Sequence, residues 1–123
     1  LFDMFLLKEN HIVATGGITE AIRRISAKNV NRLPVEVEVR SLSELREALG
    51  LQVDRILLDN MSIEEMRAAV EETKGRIPLE ASGNIDLSNV RKVAETGINY
   101  ISVGSLTHSV RALDVSFLVG NPL

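Results

Sequence analysis

The sequence predicts an α/β fold: a partial (β/α) barrel of parallel strands with helices on the outer face. Three observations predict it. Short apolar runs alternate with amphipathic helical stretches along the whole chain, the pattern of strand–helix–strand units that build a parallel sheet. The stretch Pro34-Val35-Glu36-Val37-Glu38-Val39-Arg40 alternates valine with glutamate, so one strand has an apolar face and an acidic face. Polar groups also recur at a nearly constant interval at the ends of successive runs: Glu38, Asp59, Glu80 and Ser102. An open doubly wound sheet is covered by helices on both faces and would bury the glutamates under one of them. A barrel is jacketed on its outside only, so Glu36 and Glu38 face a lumen that opens at the strand C-termini.

The elements follow in order. Residues 4–7 form a first strand that ends at Lys8. Ile18, Ile22 and Ile25 repeat at helical spacing, and Asn29 closes that helix. Residues 35–39 are the second strand. Ser41-Leu42-Ser43-Glu44 has the form of a capping box, Leu42, Leu45 and Leu49 make the buried stripe, and Gly50 ends the helix. Residues 55–58 are the third strand, ended by Asp59-Asn60. Ser62-Ile63-Glu64-Glu65 repeats the box, with Ile63, Met66 and Val70 as the stripe and Gly75 as the stop. Residues 77–81 are the fourth strand. Asp86 is read as the cap of a helix carrying Leu87, Val90 and Ala94, stopped at Gly97. Residues 100–103 are the fifth strand, and residues 113–119 supply one more.

Composition narrows the function classes. The 123 residues support one domain with a real core, but fall short of the roughly 250 of a full barrel. The chain, which starts at Leu1, therefore reads as a piece of something longer. A net charge of −3 with scattered lysines and arginines argues against a nucleic-acid partner. The absence of cysteine excludes disulfides and thiolate metal sites and fits a reducing, cytoplasmic setting. No apolar run reaches the roughly 18 residues of a membrane span, and no signal peptide is visible.

Candidate site residues sit where a barrel puts its active-site mouth, at the strand C-termini: Lys8, Glu38, Asp59, Glu80 with Ser82, and Ser102 with Gly104. Unpaired carboxylates in a dry core each cost several kilocalories. Lys8 supplies one counter-charge; a divalent cation or a polyhydroxyl ligand supplies more. Each position also has a plain structural reading: Asp59-Asn60 as a turn, Glu36 as a solvated residue. The loops Glu80-Ala81-Ser82-Gly83-Asn84 and Ser102-Val103-Gly104-Ser105 run from strand to helix start, where glycine and free N–H groups admit an anion. Barrels often bind phosphate with their last two such loops; tight turns are the plain alternative. His108, beyond the second loop, and His11, after the first strand, are candidate phosphate donors or proton carriers.

The runs Leu6-Leu7-Lys8-Glu9-Asn10-His11, Val35-Glu36-Val37-Glu38-Val39, Ile56-Leu57-Leu58-Asp59-Asn60-Met61, Leu79-Glu80-Ala81-Ser82-Gly83-Asn84-Ile85 and Tyr100-Ile101-Ser102-Val103-Gly104-Ser105-Leu106-Thr107-His108-Ser109 together resemble the quinolinate phosphoribosyltransferases. The resemblance covers nearly the whole chain and implies that residues 1–123 are the C-terminal part of that family's α/β barrel domain. It implies transfer of a phosphoribosyl group from 5-phosphoribosyl-1-pyrophosphate to quinolinate. Pyrophosphate and carbon dioxide leave, and nicotinate mononucleotide forms for NAD biosynthesis, with Mg2+ accompanying the pyrophosphate. It further implies that Lys8 contacts substrate charge, that Glu38 and Asp59 sit near the ribose hydroxyls and the metal, and that Ser82, Gly83, Asn84 and Gly104 form the phosphate loops. Asn84 departs from a second glycine that many relatives carry, and asparagine tolerates the left-handed backbone needed there. The family's N-terminal domain and acceptor-binding basic residues are expected upstream, and a homodimer is expected to complete the site. Rival readings are a paralogue with another acceptor, a barrel handling a different sugar phosphate, and a self-associating fragment without activity.

Overall fold

The computed structural model describes residues 4–103 and 115–118. In chain order the elements are β1 (Phe5–Leu7), α1 (Glu9–Thr15), α2 (Ile18–Lys28), β2 (Val35–Val39), α3 (Leu42–Leu49), β3 (Arg55–Asp59), α4 (Ile63–Thr73), β4 (Leu79–Ser82), α5 (Val90–Ala94), β5 (Tyr100–Val103) and β6 (Val115–Leu118). The six strands form one sheet in sequence order. The first five are parallel, and β6 pairs antiparallel with β5 at the edge.

The two faces of the sheet divide as the alternation requires. Val35, Val37, Val39, Ile56, Leu58, Leu79, Ala81, Ile101 and Val103 are buried on one face, in a single cluster with the helix residues Ile18, Ile22, Leu45, Met66, Ala69 and Val93. A fully buried aliphatic side chain of this kind contributes roughly 1.5–3 kcal/mol, so this layer is the main source of stability. The intervening residues Glu36, Glu38, Arg55, Asp59, Glu80, Ser82 and Ser102 occupy the other face. This is the one-sided jacket of a barrel wall.

The caps explain most boundaries. Ser62 and Glu65 form a complete capping box on α4, with the Glu65 N–H donating to Ser62 Oγ and the Ser62 N–H to Glu65 Oε1. On α3, Ser41 Oγ accepts from the Glu44 N–H in the same way. Lys74 and Gly75, both at positive φ, turn the chain out of α4.

Two helices differ from the sequence reading. The sequence reading assigns no helix between Lys8 and Ile18, where α1 lies; no Ser, Thr, Asp or Asn immediately precedes it, Lys8 occupies its N-cap without a side-chain bond, and Gly16 at φ 96° ends it. At α5, Asp86 is not the cap. Its carboxylate instead accepts from the Ser88 backbone and hydroxyl, closing a separate turn, and the helix starts only after Asn89. Leu87 lies on that turn and is 77% exposed rather than part of a buried stripe.

The bases of the strands are joined in two ways. Asp54, just before β3, clasps Val35: the Val35 N–H donates to Asp54 Oδ2 (2.7 Å) and the Asp54 N–H to the Val35 carbonyl (2.8 Å). Asn99, just before β5, clasps Leu79 likewise (2.9 and 3.0 Å). At the β1–β2 and β3–β4 seams the corresponding partners are Pro34 and Pro78. A proline has no N–H to return, so the base of each of these two seams carries one such bond, Phe5 N–H to the Pro34 carbonyl (2.8 Å) and Ile56 N–H to the Pro78 carbonyl (3.1 Å). Asn99→Ala strands the Leu79 N–H in a buried position. We expect a loss of about 1–3 kcal/mol in denaturant unfolding, with no change in far-ultraviolet circular dichroism.

Candidate active site

The polar face of the sheet borders an open cleft of about 550 Å³ at the strand C-termini. Its side chains stand in two tiers. At the mouth are Lys8, Glu38, Asp59 and the turn Ser82-Gly83-Asn84; below them are Glu36, Glu80 and Ser102.

Strand parity and register build the mouth. Asp59 and Ser82 are direct cross-strand partners. Asn60, at φ 55°, turns the chain away from β3, and its N–H donates to the Ser82 carbonyl (2.9 Å). The Asn84 amide donates to Asn60 Oδ1 (2.8 Å), and the Asn89 amide donates to the Asn84 carbonyl (2.7 Å). Gly83 sits at φ 88° so close to Asn60 that any Cβ would collide with the Asn60 amide. Asn84 takes the left-handed backbone at φ 55°, as expected of an asparagine in a glycine position.

The charges are partly compensated within the chain. Arg40 bridges Glu9 (2.8 Å) and Asp59 (3.3 Å). Burial, and then the neighbouring charge of Asp59, hold Glu38 above the ordinary carboxylate range; Arg40 and Lys8 pull against that rise. In the lower tier Arg55 reaches Glu80 (3.2 Å) and lies 4.3 Å over the Tyr100 ring, while Ser102 donates its hydroxyl to Glu80 Oε2 (2.8 Å). Glu36 is only 5% exposed, and its Oε1 has no partner among the described residues. Burial, followed by the charge of Glu80, pushes its carboxyl up to about 7. The sequence reading names Lys8 as one counter-charge for these carboxylates and looks to a cation or ligand for the rest; the structure adds Arg40 and Arg55 from the chain itself. Both were legible, since Arg40 has the parity of Glu36 and Glu38, and Arg55 that of Asp59.

A family model described as "Quinolinate phosphoribosyl transferase, C-terminal domain" matches residues 1–118. The chain belongs to this family. A chloroplastic carboxylating nicotinate-nucleotide pyrophosphorylase from Oryza sativa subsp. japonica is 43% identical over 141 aligned positions, covering all of this chain and 38% of that protein. A carboxylating nicotinate-nucleotide pyrophosphorylase from Mycobacterium leprae is 42% identical over 94% of this chain and 41% of its own length. The structure of the nicotinate-nucleotide pyrophosphorylase from Francisella tularensis superposes with a TM-score of 0.80 at 41% identity, covering 97% of this chain and 42% of that one. The chain thus spans about two fifths of the length of these relatives.

Within this quinolinate phosphoribosyl transferase domain, the structure brings Lys8, Glu38, Asp59, Ser82, Gly83 and Asn84 to one cleft. Gly104, Ser105 and His108 lie outside the described residues. His11 does not join the cleft; it is exposed on α1 and borders a separate groove with Arg24 and Lys28. Among the described residues no three His, Cys, Asp or Glu side chains stand together as a metal cage, and no helix is long and apolar enough to cross a membrane.

Two outcomes check this geometry. Gly83→Ala forces a Cβ into Asn60 at a positive φ, and is expected to destabilise by roughly 1–3 kcal/mol in thermal unfolding. Glu36→Gln removes a titration whose folded value lies above the unfolded one. The unfolded chain releases that proton first, so wild type loses stability relative to the variant as pH rises from about 4.5 to about 7. Chemical denaturation across a pH series reads the difference, and the two profiles run parallel outside that window.

Proposed function

We propose that the chain carries the phosphoribosyl half of the active site of a quinolinate phosphoribosyltransferase, an enzyme of NAD biosynthesis. The observation that carries this reading is the shared cleft of Glu38, Asp59, Lys8 and the Ser82-Gly83-Asn84 turn. Such a set suits a ligand that bears both hydroxyls and phosphate. Carboxylates accept from sugar hydroxyls, a glycine turn lets phosphate approach the backbone, and lysine offsets the anionic charge.

In the reaction the quinolinate ring nitrogen forms a bond to C1 of 5-phosphoribosyl-1-pyrophosphate. The C1–O bond breaks and pyrophosphate leaves with its electron pair. The ribosyl centre becomes cationic as that bond lengthens, and Glu38 and Asp59 stabilise the developing charge from the cleft mouth. The 2-carboxylate departs as carbon dioxide, leaving its bonding electron pair on ring C2, which takes up a proton from solvent to give nicotinate mononucleotide. Arg40 keeps Asp59 oriented toward the cleft. Ser82, Gly83 and Asn84 hold phosphate, a role proposed also for Gly104, Ser105 and His108.

Glu38 and Asp59 are the residues that would hold Mg2+. Two carboxylates without a third protein ligand fit an ion that keeps its waters and shares substrate oxygens rather than one caged by protein. When bound, Mg2+ neutralises charge on the pyrophosphate. The raised Glu38 carboxyl beside Asp59 is the kind of like-charge pair that a cation relieves.

Residues 1–123 form the C-terminal part of the barrel domain in this proposal. Basic groups for the quinolinate carboxylates come from the rest of a longer enzyme and from a second subunit of a homodimer, in the cytoplasm. Titration calorimetry with 5-phosphoribosyl-1-pyrophosphate and Mg2+ tests the assignment. Asp59→Asn and Glu38→Gln are each expected to weaken binding about 10- to 100-fold with Tm little changed. Wild-type affinity in both variants overturns the assignment. The 123-residue chain alone is expected to turn over weakly or not at all; full activity from it with both substrates would refute the division of the site.

A further inference from the structure

Beneath the mouth, one carboxylate ties three strands together. Glu80 is 7% exposed, and each of its oxygens has a different partner. Oε1 meets Arg55 from β3, and Oε2 accepts from Ser102 of β5. Arg55 is fixed on its other side by the Tyr100 ring. The geometry points to Glu80 as a positioning residue: by clamping β3 and β5 to β4 it holds the Ser82-Gly83-Asn84 turn in register with Asp59.

The placement supports this. Glu80 lies two residues before Ser82, and Arg55 four before Asp59, all on one face. The clamp therefore sits directly under the two groups whose relative position matters. Backbone ladders fix register, but adjacent strands twist relative to one another over a range of roughly −10° to −35°. A side-chain bridge restricts that freedom.

Stability alone does not call for such a bridge. A buried ion pair loses solvation that its attraction barely returns, and a well-packed apolar set of similar volume is commonly as stable or more so. Leu57, the register partner of Glu80 on β3, shows that this face accepts an apolar side chain. The orphaned Oε1 of Glu36 beside the clamp shows further cost tolerated in the same place. Geometry is what the charged floor supplies in return.

The ligand part of the inference rests on the proposed phosphoribosyl site, so the test has two readouts. Wild type, Glu80→Gln and the double variant Arg55→Met/Glu80→Leu are compared in the full protein. Glutamine removes the negative charge that Arg55 pairs with and leaves only a neutral amide between Arg55 and Ser102, which weakens the clamp; the double variant replaces the clamp by apolar bulk. Amide hydrogen exchange at Asn60, whose N–H donates to the Ser82 carbonyl, is expected to speed up about tenfold or more in both, with exchange in α4 unchanged and the double variant's Tm at or above wild type. Affinity for 5-phosphoribosyl-1-pyrophosphate is expected to fall roughly 10- to 100-fold. Wild-type exchange at the Asn60 amide in a folded variant overturns the clamp. Should the double variant fail to fold, Glu80→Gln decides by the same criterion. A wild-type protein that binds no 5-phosphoribosyl-1-pyrophosphate defeats the proposed function instead, and the exchange data still judge the clamp.

Discussion

The structure depends on a single asymmetry: a parallel sheet covered by helices on one face only. Strand side chains alternate, so a strand built for such a sheet must be apolar at every second position and is free to be polar between. Val35, Val37 and Val39 seal the core while Glu36 and Glu38 are carried to the opposite side. Three of the strands, β2, β3 and β4, concentrate carboxylates on that surface. The cost of that concentration is met by three means. Arginines at matching parity pair with Asp59 and Glu80, Lys8 and Arg40 act on Glu38 at the mouth, and burial pushes the Glu36 carboxyl up to about 7.

The arrangement separates two tasks along each strand. In the lower tier Arg55, Glu80 and Ser102 bond one another, beside the partnerless Oε1 of Glu36. The upper tier is open and under-satisfied, which is the condition for binding something from solution. The membership in the quinolinate phosphoribosyl transferase family concerns the chain as a domain; the chemistry of a longer enzyme needs groups beyond it. What this chain contributes is the face on which sugar hydroxyls and phosphate are received.

Much of this was legible in the sequence because period-two alternation and capping patterns are local. The strands, the Ser62 box, the parity of Glu38 and Asp59, and the left-handed tolerance of Asn84 all follow from neighbouring residues. What was missed depends on distant partners or weak local signals. α1 has no capping side chain, so nothing marked its start. Asp86 has the chemistry of a cap but spends it on Ser88. Asn60 looked like the opening of a turn, and only the fold reveals that its amide meets Asn84 and crowds Gly83. Arg40 and Arg55 had the right parity, yet their roles emerge only when β2, β3 and β4 lie side by side.

The prolines at two of the strand bases leave the sheet unevenly tied at its foot. Asp54 and Asn99 make two-way clasps between β2 and β3 and between β4 and β5, whereas Pro34 and Pro78 return no N–H, so one such bond is made at the base of the β1–β2 ladder and one at the base of the β3–β4 ladder. The Arg55–Glu80 pair crosses the second of these ladders. A side-chain tie thus stands where the main chain, at its foot, has one fewer to give.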